Sequence, residues 1–127
     1  MEYYLIDSNI ISGYFSALYS DKGMEIIANA INHTPNISVI TKIEALSWIS
    51  ENKEKEAIVR SFVKDSIVIA LSDEIVEECI KLRRNRKIKT PDAIIAATAI
   101  IHNYTLISCD KIFHAIPILK FINPKEI

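Results

Sequence analysis

Four acidic residues have the type and the spacing that phosphodiester hydrolysis would need. They are Asp7, Glu44, Asp92 and Asp110. Carboxylates crowded at one place repel each other and raise some of their pKa values, and a divalent cation relieves that conflict. A donor set made only of oxygen suits Mg²⁺ or Mn²⁺ better than zinc. Such an ion stabilises the attacking and the leaving oxygen at a phosphodiester.

Each acid also has a local structural role available to it. Asp7 can cap the helix that follows it, and Glu44 stands three residues after Thr41, as in a capping box. Asp92 lies in a first helical turn, where negative charge favours the helix dipole, and Asp110 suits a turn. Any one acid alone indicates nothing more, so the functional interpretation rests on their joint placement.

The apolar pattern predicts the elements that would bring these acids together. Strands are predicted at 3–6, 37–40, 67–71, 105–108 and, at an edge, 118–122. Helices are predicted at 9–19, 21–32, 53–63 and 73–84, and two more begin at 41 and at 90. The helix that begins at 90 is apolar on nearly every side, so we expect it to be buried at the centre of the fold. Thr41, Ser72 and Pro91 are the expected helix-start residues. Strands alternating with helices predict an α/β fold with a largely parallel sheet, in which sites lie beyond the carboxyl ends of the strands.

The composition limits the size of the fold and the class of protein but does not identify a function. The chain has 127 residues, of which 50% are hydrophobic, so a single domain over 1–127 with a substantial core is expected. The net charge of −1 gives no global attraction to nucleic acid, so phosphate contacts need a local patch or bound cations. Cys79 and Cys109 are expected to be reduced thiols packed in the core. With no membrane span or secretory signal seen, a cytoplasmic location is expected.

Four sequence segments resemble the PIN-domain family, and in particular the VapC-type toxins of toxin–antitoxin pairs. They are Leu5-Ile6-Asp7-Ser8-Asn9, Thr41-Lys42-Ile43-Glu44-Ala45-Leu46, Lys89-Thr90-Pro91-Asp92-Ala93-Ile94-Ile95-Ala96-Ala97-Thr98-Ala99 and Leu106-Ile107-Ser108-Cys109-Asp110. The segments occur in family order over almost the whole chain. The helix that begins at Pro91-Asp92 is the most specific of them.

This resemblance implies a three-layer α/β/α fold with a mainly parallel sheet of four to five strands, and Mg²⁺- or Mn²⁺-dependent cleavage of RNA. It implies that the four acids form the catalytic and metal-binding site. Ser8, Asn9 and Ser108 match positions that support it. A cognate antitoxin protein and a homodimer are the partners implied. One position departs from the pattern: many relatives carry a further Asp before the Phe that follows the last acid, and here Ile112 precedes Phe113.

One dense basic run precedes the buried helix. It consists of Arg83, Arg84, Arg86, Lys87 and Lys89. Its place beside Asp92 suggests that it tracks an RNA backbone at the rim of the site. A solvated helix end with favourable charge is an equally good explanation.

An aromatic group leaves a similar choice open. Trp48, with Tyr14, Phe15 and Ile49, suits core packing, which is favoured about two to one because aromatic side chains usually bury. The other interpretation is a groove that takes an antitoxin helix. Two further functions stay open at this stage: a PIN nuclease of RNA processing or of DNA flaps, and a non-catalytic module that binds RNA or protein.

Overall fold

The computed structural model describes residues 2–127. The strands are β1 (Tyr4–Ile6), β2 (Asn36–Ser38), β3 (Ile67–Ile69), β4 (Thr105–Ile107) and β5 (Phe121–Ile122). The α-helices are α1 (Ser8–Phe15), α2 (Asp21–Asn32), α3 (Val39–Ser47), α4 (Lys53–Asp65), α5 (Asp73–Asn85) and α6 (Thr90–His102). Short 3₁₀ helices cover Lys111–Ala115 and Pro124–Glu126.

The five strands form one sheet in the order β3-β2-β1-β4-β5, and every neighbouring pair is parallel. Strand β1 is central: Leu5 pairs with Asn36 of β2 on one side and with Leu106 of β4 on the other. The strand order reverses direction at β1, because β2 and β4 lie on its two sides and their connecting helices pack on opposite faces of the sheet. Parallel α/β sheets bind ligands beyond the carboxyl end of such a strand. The α/β fold with a parallel sheet is therefore confirmed.

Apolar side chains from the two faces of the sheet form two cores. Leu5 and Leu106 pack with α5 and α6, and this core includes Ile75, Phe113 and the alanines of α6. Ile6 and Ile107 point to the other face and pack with α1, α2 and α4. Alternation along the strands thus places helices on both faces, as a three-layer α/β/α arrangement requires.

Several element boundaries differ from the sequence-based predictions. Helix α1 ends at Phe15 rather than near residue 19, because Ser16 closes the helix and Ala17 takes a left-handed conformation with φ of 54°. The strand expected at 37–40 ends at Ser38, which caps α3 by accepting a hydrogen bond from the Thr41 amide at 3.1 Å. Thr41 is therefore inside the helix and is not its cap.

Other boundaries move by smaller amounts. Pro91 is the second residue of α6 rather than the first, and the last strand is only Phe121–Ile122. Ser72 caps α5 as predicted, accepting from the amide of Ile75 at 3.2 Å. Within residues 2–127, none of the helices is both long enough and apolar enough to cross a membrane.

Candidate active site

Asp7 begins the site at the carboxyl end of the central strand. Its side chain is 6% exposed. One carboxylate oxygen, Oδ1, accepts from the Ser8 amide at 2.8 Å and so caps α1. The other, Oδ2, accepts from the Ser108 hydroxyl at 2.7 Å and from the Asn9 side-chain amide at 3.4 Å. The expected capping role is therefore real, but it uses only one of the two oxygens.

The electrostatic state of Asp7 is unusual for an aspartate. Burial raises its pKa from 3.8 to about 6, against the lowering effect of the hydrogen bonds from Ser108 and Ser8. The carboxylates of Glu44 and Asp92 raise the pKa further, so both acids lie close enough to repel Asp7. The ion pairs among residues 2–127 are Lys53–Glu56 and His114–Glu126, and neither supplies a cation to this site. A buried carboxylate with acidic neighbours and no cationic partner is typical of a functional site.

Glu44 lies beside Asp7 on α3. The hydroxyl of Ser8 donates to Glu44 Oε1 at 3.2 Å, which links the start of α1 to α3. Because α3 begins at Val39, Glu44 stands well beyond the first turn and cannot complete a capping box with Thr41. The capping-box interpretation of Glu44 is wrong, and its exposed carboxylate faces the acidic site instead.

Asp92 and Asp110 extend the acidic group on the other side. Asp92 is half-buried in the first turn of α6, where burial and then the nearby Asp110 carboxylate raise its pKa, while Lys89 lowers it. Asp110 is exposed and caps the 3₁₀ helix that follows, because its Oδ1 accepts from the Ile112 amide at 3.0 Å. Repulsion therefore connects all four acids: Asp7 with Glu44 and Asp92, and Asp92 with Asp110.

Ser108 and Asn9 fix Asp7 in this arrangement. The Ser108 hydroxyl donates to Asp7 and also accepts from the Asp110 amide at 3.1 Å, so one side chain touches two of the acids. Asn9 Oδ1 accepts from the Cys109 amide at 3.1 Å while its amide group faces Asp7. The hydrogen bond between Asn9 and Cys109 therefore joins the start of α1 to the segment that follows β4, and these two residues are called the clamp below. Ser108 was expected to support the site, and it contacts both the first acid and the last.

The donor set can be tested against a divalent cation. Within residues 2–127, no group of three or more His, Cys, Asp or Glu side chains is arranged so that it could hold a metal ion by itself. Mg²⁺ does not need such a group, because it keeps several waters and takes one or two carboxylates together with substrate phosphates. Oxygen donors, mutual repulsion and a buried Asp7 that has no cation partner in the described part of the chain all fit such an ion. The residues present therefore suit an open, water-rich site for Mg²⁺ or Mn²⁺ held through Asp7, Asp92, Asp110 and Glu44.

A cavity of about 670 Å³ adjoins the acids on one side. Its walls combine two acids, four cations and two apolar residues: Asp92, Asp110, Arg83, Arg86, Lys87, Lys89, Ile88 and Ile112. Four of the five basic residues singled out from sequence thus share a cavity with two of the acids. Arg84 does not line this cavity and lies on the outer face of α5 with Glu74, Glu77 and Glu78.

Two of these arginines also brace the wall of the cavity. Arg83 Nε donates to the Ile88 carbonyl at 3.2 Å, and Arg86 Nη1 donates to the Ala115 carbonyl at 3.2 Å. Lys87 and Lys89 are exposed on the segment between α5 and α6. The lysines are therefore the cations best placed to meet a mobile anion without loss of a structural hydrogen bond.

An apolar surface adjoins the acids on the opposite side. Trp48 is 39% exposed, Phe15 is 43% exposed and Ile49 is 83% exposed, so the prediction that these three pack in the core is wrong. Tyr14 is partly buried and does pack against the core. Trp48 follows the end of α3, and its ring lines a cavity of about 260 Å³ shared with Glu44 and Ser8. A second cavity of about 280 Å³ continues from Trp48 along α4 past Phe15.

Two contributors to the site escaped sequence reasoning. Tyr19 was placed inside a helix, yet its hydroxyl returns to donate to the Asn9 carbonyl at 3.3 Å. Asn123, near the end of the chain, donates to the Cys109 carbonyl at 3.3 Å. The one available signal was Gly13, a helix-weakening residue in the middle of α1, which often marks a close approach by another group.

Comparison with known proteins agrees with this fold. The model of the PIN domain family matches residues 4–119. A chain of a toxin–antitoxin complex from Klebsiella pneumoniae is 32% identical, with 97% of this chain and 98% of that chain covered and a TM-score of 0.75. Among curated proteins, no significant match was found.

Two more distant structures share the fold. One is VapBC2 from Rickettsia felis bound to a DNA fragment from its promoter, with 23% identity, 94% and 97% coverage and a TM-score of 0.74. The other is VapBC-1 from nontypeable Haemophilus influenzae, with 21% identity, 94% and 96% coverage and a TM-score of 0.71. The chain belongs to the PIN domain family, and the resemblance to VapC-type proteins is confirmed.

Proposed function

We propose that the protein is a divalent-cation-dependent endoribonuclease that acts as the toxin of a toxin–antitoxin pair. The observation that carries the proposal is Asp7, a buried carboxylate surrounded by other acids, with a pKa raised to about 6. Such a group destabilises the metal-free folded protein, so its presence indicates a functional role, and holding a cation beside a phosphodiester is the role that this set of donors suits. Membership of the PIN family and likeness to a toxin–antitoxin complex support the same function.

The chain's own residues account for the parts of a hydrolysis. A bound divalent cation supplies positive charge that stabilises the oxygens at phosphorus. Asp7 and Asp110, beyond the carboxyl ends of β1 and β4, and Asp92, in the first turn of α6, would hold it. Glu44, exposed and held by Ser8, orients the attacking water and accepts its proton. Water adds to phosphorus as the bond to the leaving oxygen breaks, and that oxygen takes a proton from solvent.

The direct test is cleavage of a fluorophore-quencher RNA by the purified protein. We expect cleavage with Mn²⁺ or Mg²⁺, none with EDTA, and a loss of at least ~100-fold in Asp92→Asn, because a transition-state contact is removed without a change in shape. Undiminished cleavage by Asp92→Asn would overturn the assignment of this acid. Binding of RNA without cleavage under any metal would instead favour a non-catalytic module. Cleavage of a DNA flap in preference to RNA would exclude the ribonuclease proposal.

The cationic cavity is the proposed path of the RNA backbone. Lys87 and Lys89 neutralise phosphates next to the one that is cleaved, since the cavity they line also holds Asp92 and Asp110. Local charge of this kind overcomes the net charge of −1 of the whole chain, which alone would repel RNA.

Neutralising both lysines, in Lys87→Gln/Lys89→Gln, should weaken RNA binding and flatten its salt dependence. Each phosphate contact on single-stranded RNA contributes roughly 0.7 to the slope of log Kd against log salt, so two contacts predict a slope lower by about 1.4. Lys81→Gln/Arg84→Gln removes the same charge from the outer face of α5 and serves as the matched control. Fluorescence anisotropy over a salt series measures both. Equal effects in the two double variants would show that only total charge matters.

The apolar surface around Trp48 supports an antitoxin partner. It begins at Glu44 and continues along α4, so an amphipathic segment seated there would cover one side of the acidic site. We expect expression of the protein to arrest cell growth, Asp92→Asn to be harmless, and the product of an adjacent small gene to relieve the arrest. Arrest that persists in Asp92→Asn would argue against toxicity through cleavage.

Two further expectations follow from the family. A homodimer is proposed, and the molar mass in solution by light scattering decides it. A cytoplasmic location is proposed as well, because the proposed substrate is cellular RNA.

A further inference from the structure

Tyr19 folds back on the helix that begins at the acidic site. Helix α1 ends at Phe15, and the left-handed Ala17 returns the chain toward the helix. The half-buried Tyr19 then lies against Gly13, where an added Cβ would overlap the phenol oxygen and come within 2.6 Å of Cζ. A helix-weakening glycine in the middle of α1 therefore makes room for the tip of this one side chain.

The Tyr19 hydroxyl touches both residues of the clamp behind Asp7. It donates to the Asn9 carbonyl at 3.3 Å and accepts from the Cys109 thiol, with 3.5 Å between oxygen and sulfur. Asn9 and Cys109 are themselves joined, because the Cys109 amide donates to Asn9 Oδ1 at 3.1 Å. The other end of the Asn9 side chain faces the Asp7 carboxylate at 3.4 Å and the Ser108 hydroxyl at 3.3 Å.

We propose that Tyr19 is a positioning residue of the acidic site: its hydroxyl, seated at Gly13, holds Asn9 and Cys109 together and so fixes the Asp7 carboxylate. The proposal rests on the nuclease function. A phenylalanine would fill the same space, so packing alone does not require the hydroxyl. Tyr19 touches no acid itself and acts through Asn9.

Tyr19→Phe is the first test, and Tyr4→Phe is its control. The Tyr4 hydroxyl donates to Glu2 at 2.7 Å at the amino end of β1, away from the site. We expect Tyr19→Phe to lower kcat about fivefold with KM within about twofold, as loss of one hydrogen bond behind a reacting group predicts. Mn²⁺ affinity, measured by calorimetry, should fall about threefold, which is less than the loss of a direct partner of a ligand would cause, because Tyr19 acts through Asn9. Tyr4→Phe should leave kcat, KM and Mn²⁺ affinity unchanged.

Hydrogen exchange gives a readout that needs no activity. The Cys109 amide should exchange faster in Tyr19→Phe than in the wild type or in Tyr4→Phe, because its acceptor, Asn9, is less firmly held. If the wild type cleaves no RNA, the nuclease function fails, while exchange and Mn²⁺ affinity still decide the role of Tyr19. Unchanged exchange and unchanged Mn²⁺ affinity in Tyr19→Phe would overturn the positioning role, as would equal losses in both tyrosine variants.

Gly13→Ala tests the position of the Tyr19 hydroxyl without a change in Tyr19 itself. The added methyl group displaces the phenol, so we expect kcat to fall at least as far as in Tyr19→Phe. The double variant Gly13→Ala/Tyr19→Phe should lose no more kcat than Gly13→Ala alone, since the hydroxyl is already out of place. Additive losses would overturn the proposal.

Discussion

Asp7→Asn should abolish RNA cleavage and, at the same time, stabilise the metal-free protein. Ionised Asp7 is buried beside Glu44 and Asp92, and its pKa is raised from 3.8 to about 6. At neutral pH, this shift corresponds to a cost of up to about 3 kcal/mol in the free energy of unfolding. Asparagine removes the charge but accepts hydrogen bonds less well from Ser8 and Ser108, so we expect a net gain of about 1–2 kcal/mol.

The sign of the pH dependence follows from the raised pKa. A carboxyl group that binds its proton more tightly when folded destabilises the protein above the folded pKa, near 6, and ceases to do so below the unfolded value, near 4. Metal-free wild type should therefore gain stability as the pH falls from 7 toward 4. Asp7→Asn should not share that gain, and its advantage should vanish at pH 4.

Thermal melts at several pH values in EDTA, paired with cleavage assays in Mn²⁺, measure both effects. The gain at pH 7.5 should appear as a rise in Tm of about 3–8 °C for a domain of this size. Asp65→Asn, an exposed change at the end of α4, should keep full cleavage and shift stability by less than about 0.5 kcal/mol. An Asp7→Asn variant that is less stable than the wild type at pH 7.5 would show that Asp7 is a structural cap and little else.

The proposed activity gives a reason for a charge that lies buried without a cation partner within residues 2–127. Natural proteins keep such groups where function demands them, and the rest of the fold compensates. Here the compensation is local: Ser8, Asn9 and Ser108 all direct hydrogen bonds at the carboxylate.

Sequence patterns predicted the sheet and, through it, two of the four candidate acids. Buried β-branched runs define where strands lie, and the rule that sites follow the carboxyl ends of parallel strands then selects Asp7 and Asp110. The first residue of α3 was harder to predict, because Ser38 and Thr41 are both good helix caps. Which of them caps α3 depends on where the sheet stops, and this is a tertiary property that three residues of sequence do not contain.

Tyr19 and Trp48 show a second limit. The helical pattern ran on past Phe15 without a break, so the left-handed turn at Ala17 that returns Tyr19 to Asn9 had no clear signal. Trp48 was assigned to the core because aromatic side chains usually bury, but it lies at the end of α3 with 39% of its surface exposed. General tendencies of residue types fail at such positions, where an aromatic side chain lines an open cavity and does not pack in the core.

Binding of Mn²⁺ should weaken sharply below pH 6, although ordinary carboxylates would hold the ion down to about pH 5. Metal ions bind the deprotonated form, so affinity falls about tenfold per pH unit below the pKa of each ligand that must lose a proton. Asp7 has a pKa of about 6, and the pKa of Asp92 is raised as well by burial and by Asp110. Between pH 7.5 and 5.0, we therefore expect at least a tenfold loss of affinity, followed by calorimetry or by the electron paramagnetic resonance signal of free Mn²⁺.

Asp7→Asn shows whether protonation of Asp7, or a general effect of low pH on the protein, weakens the binding of Mn²⁺. The variant should bind Mn²⁺ more weakly at pH 7.5 and show a smaller decline toward pH 5.0, since the carboxyl group whose pKa is about 6 is no longer present. Calorimetry in buffers of different ionisation enthalpy should detect proton release on binding to the wild type near pH 6, and less release from the variant. If wild-type affinity were constant from pH 8 to pH 5, Asp7 would not be a ligand, and the raised pKa of this buried carboxyl group would need another function.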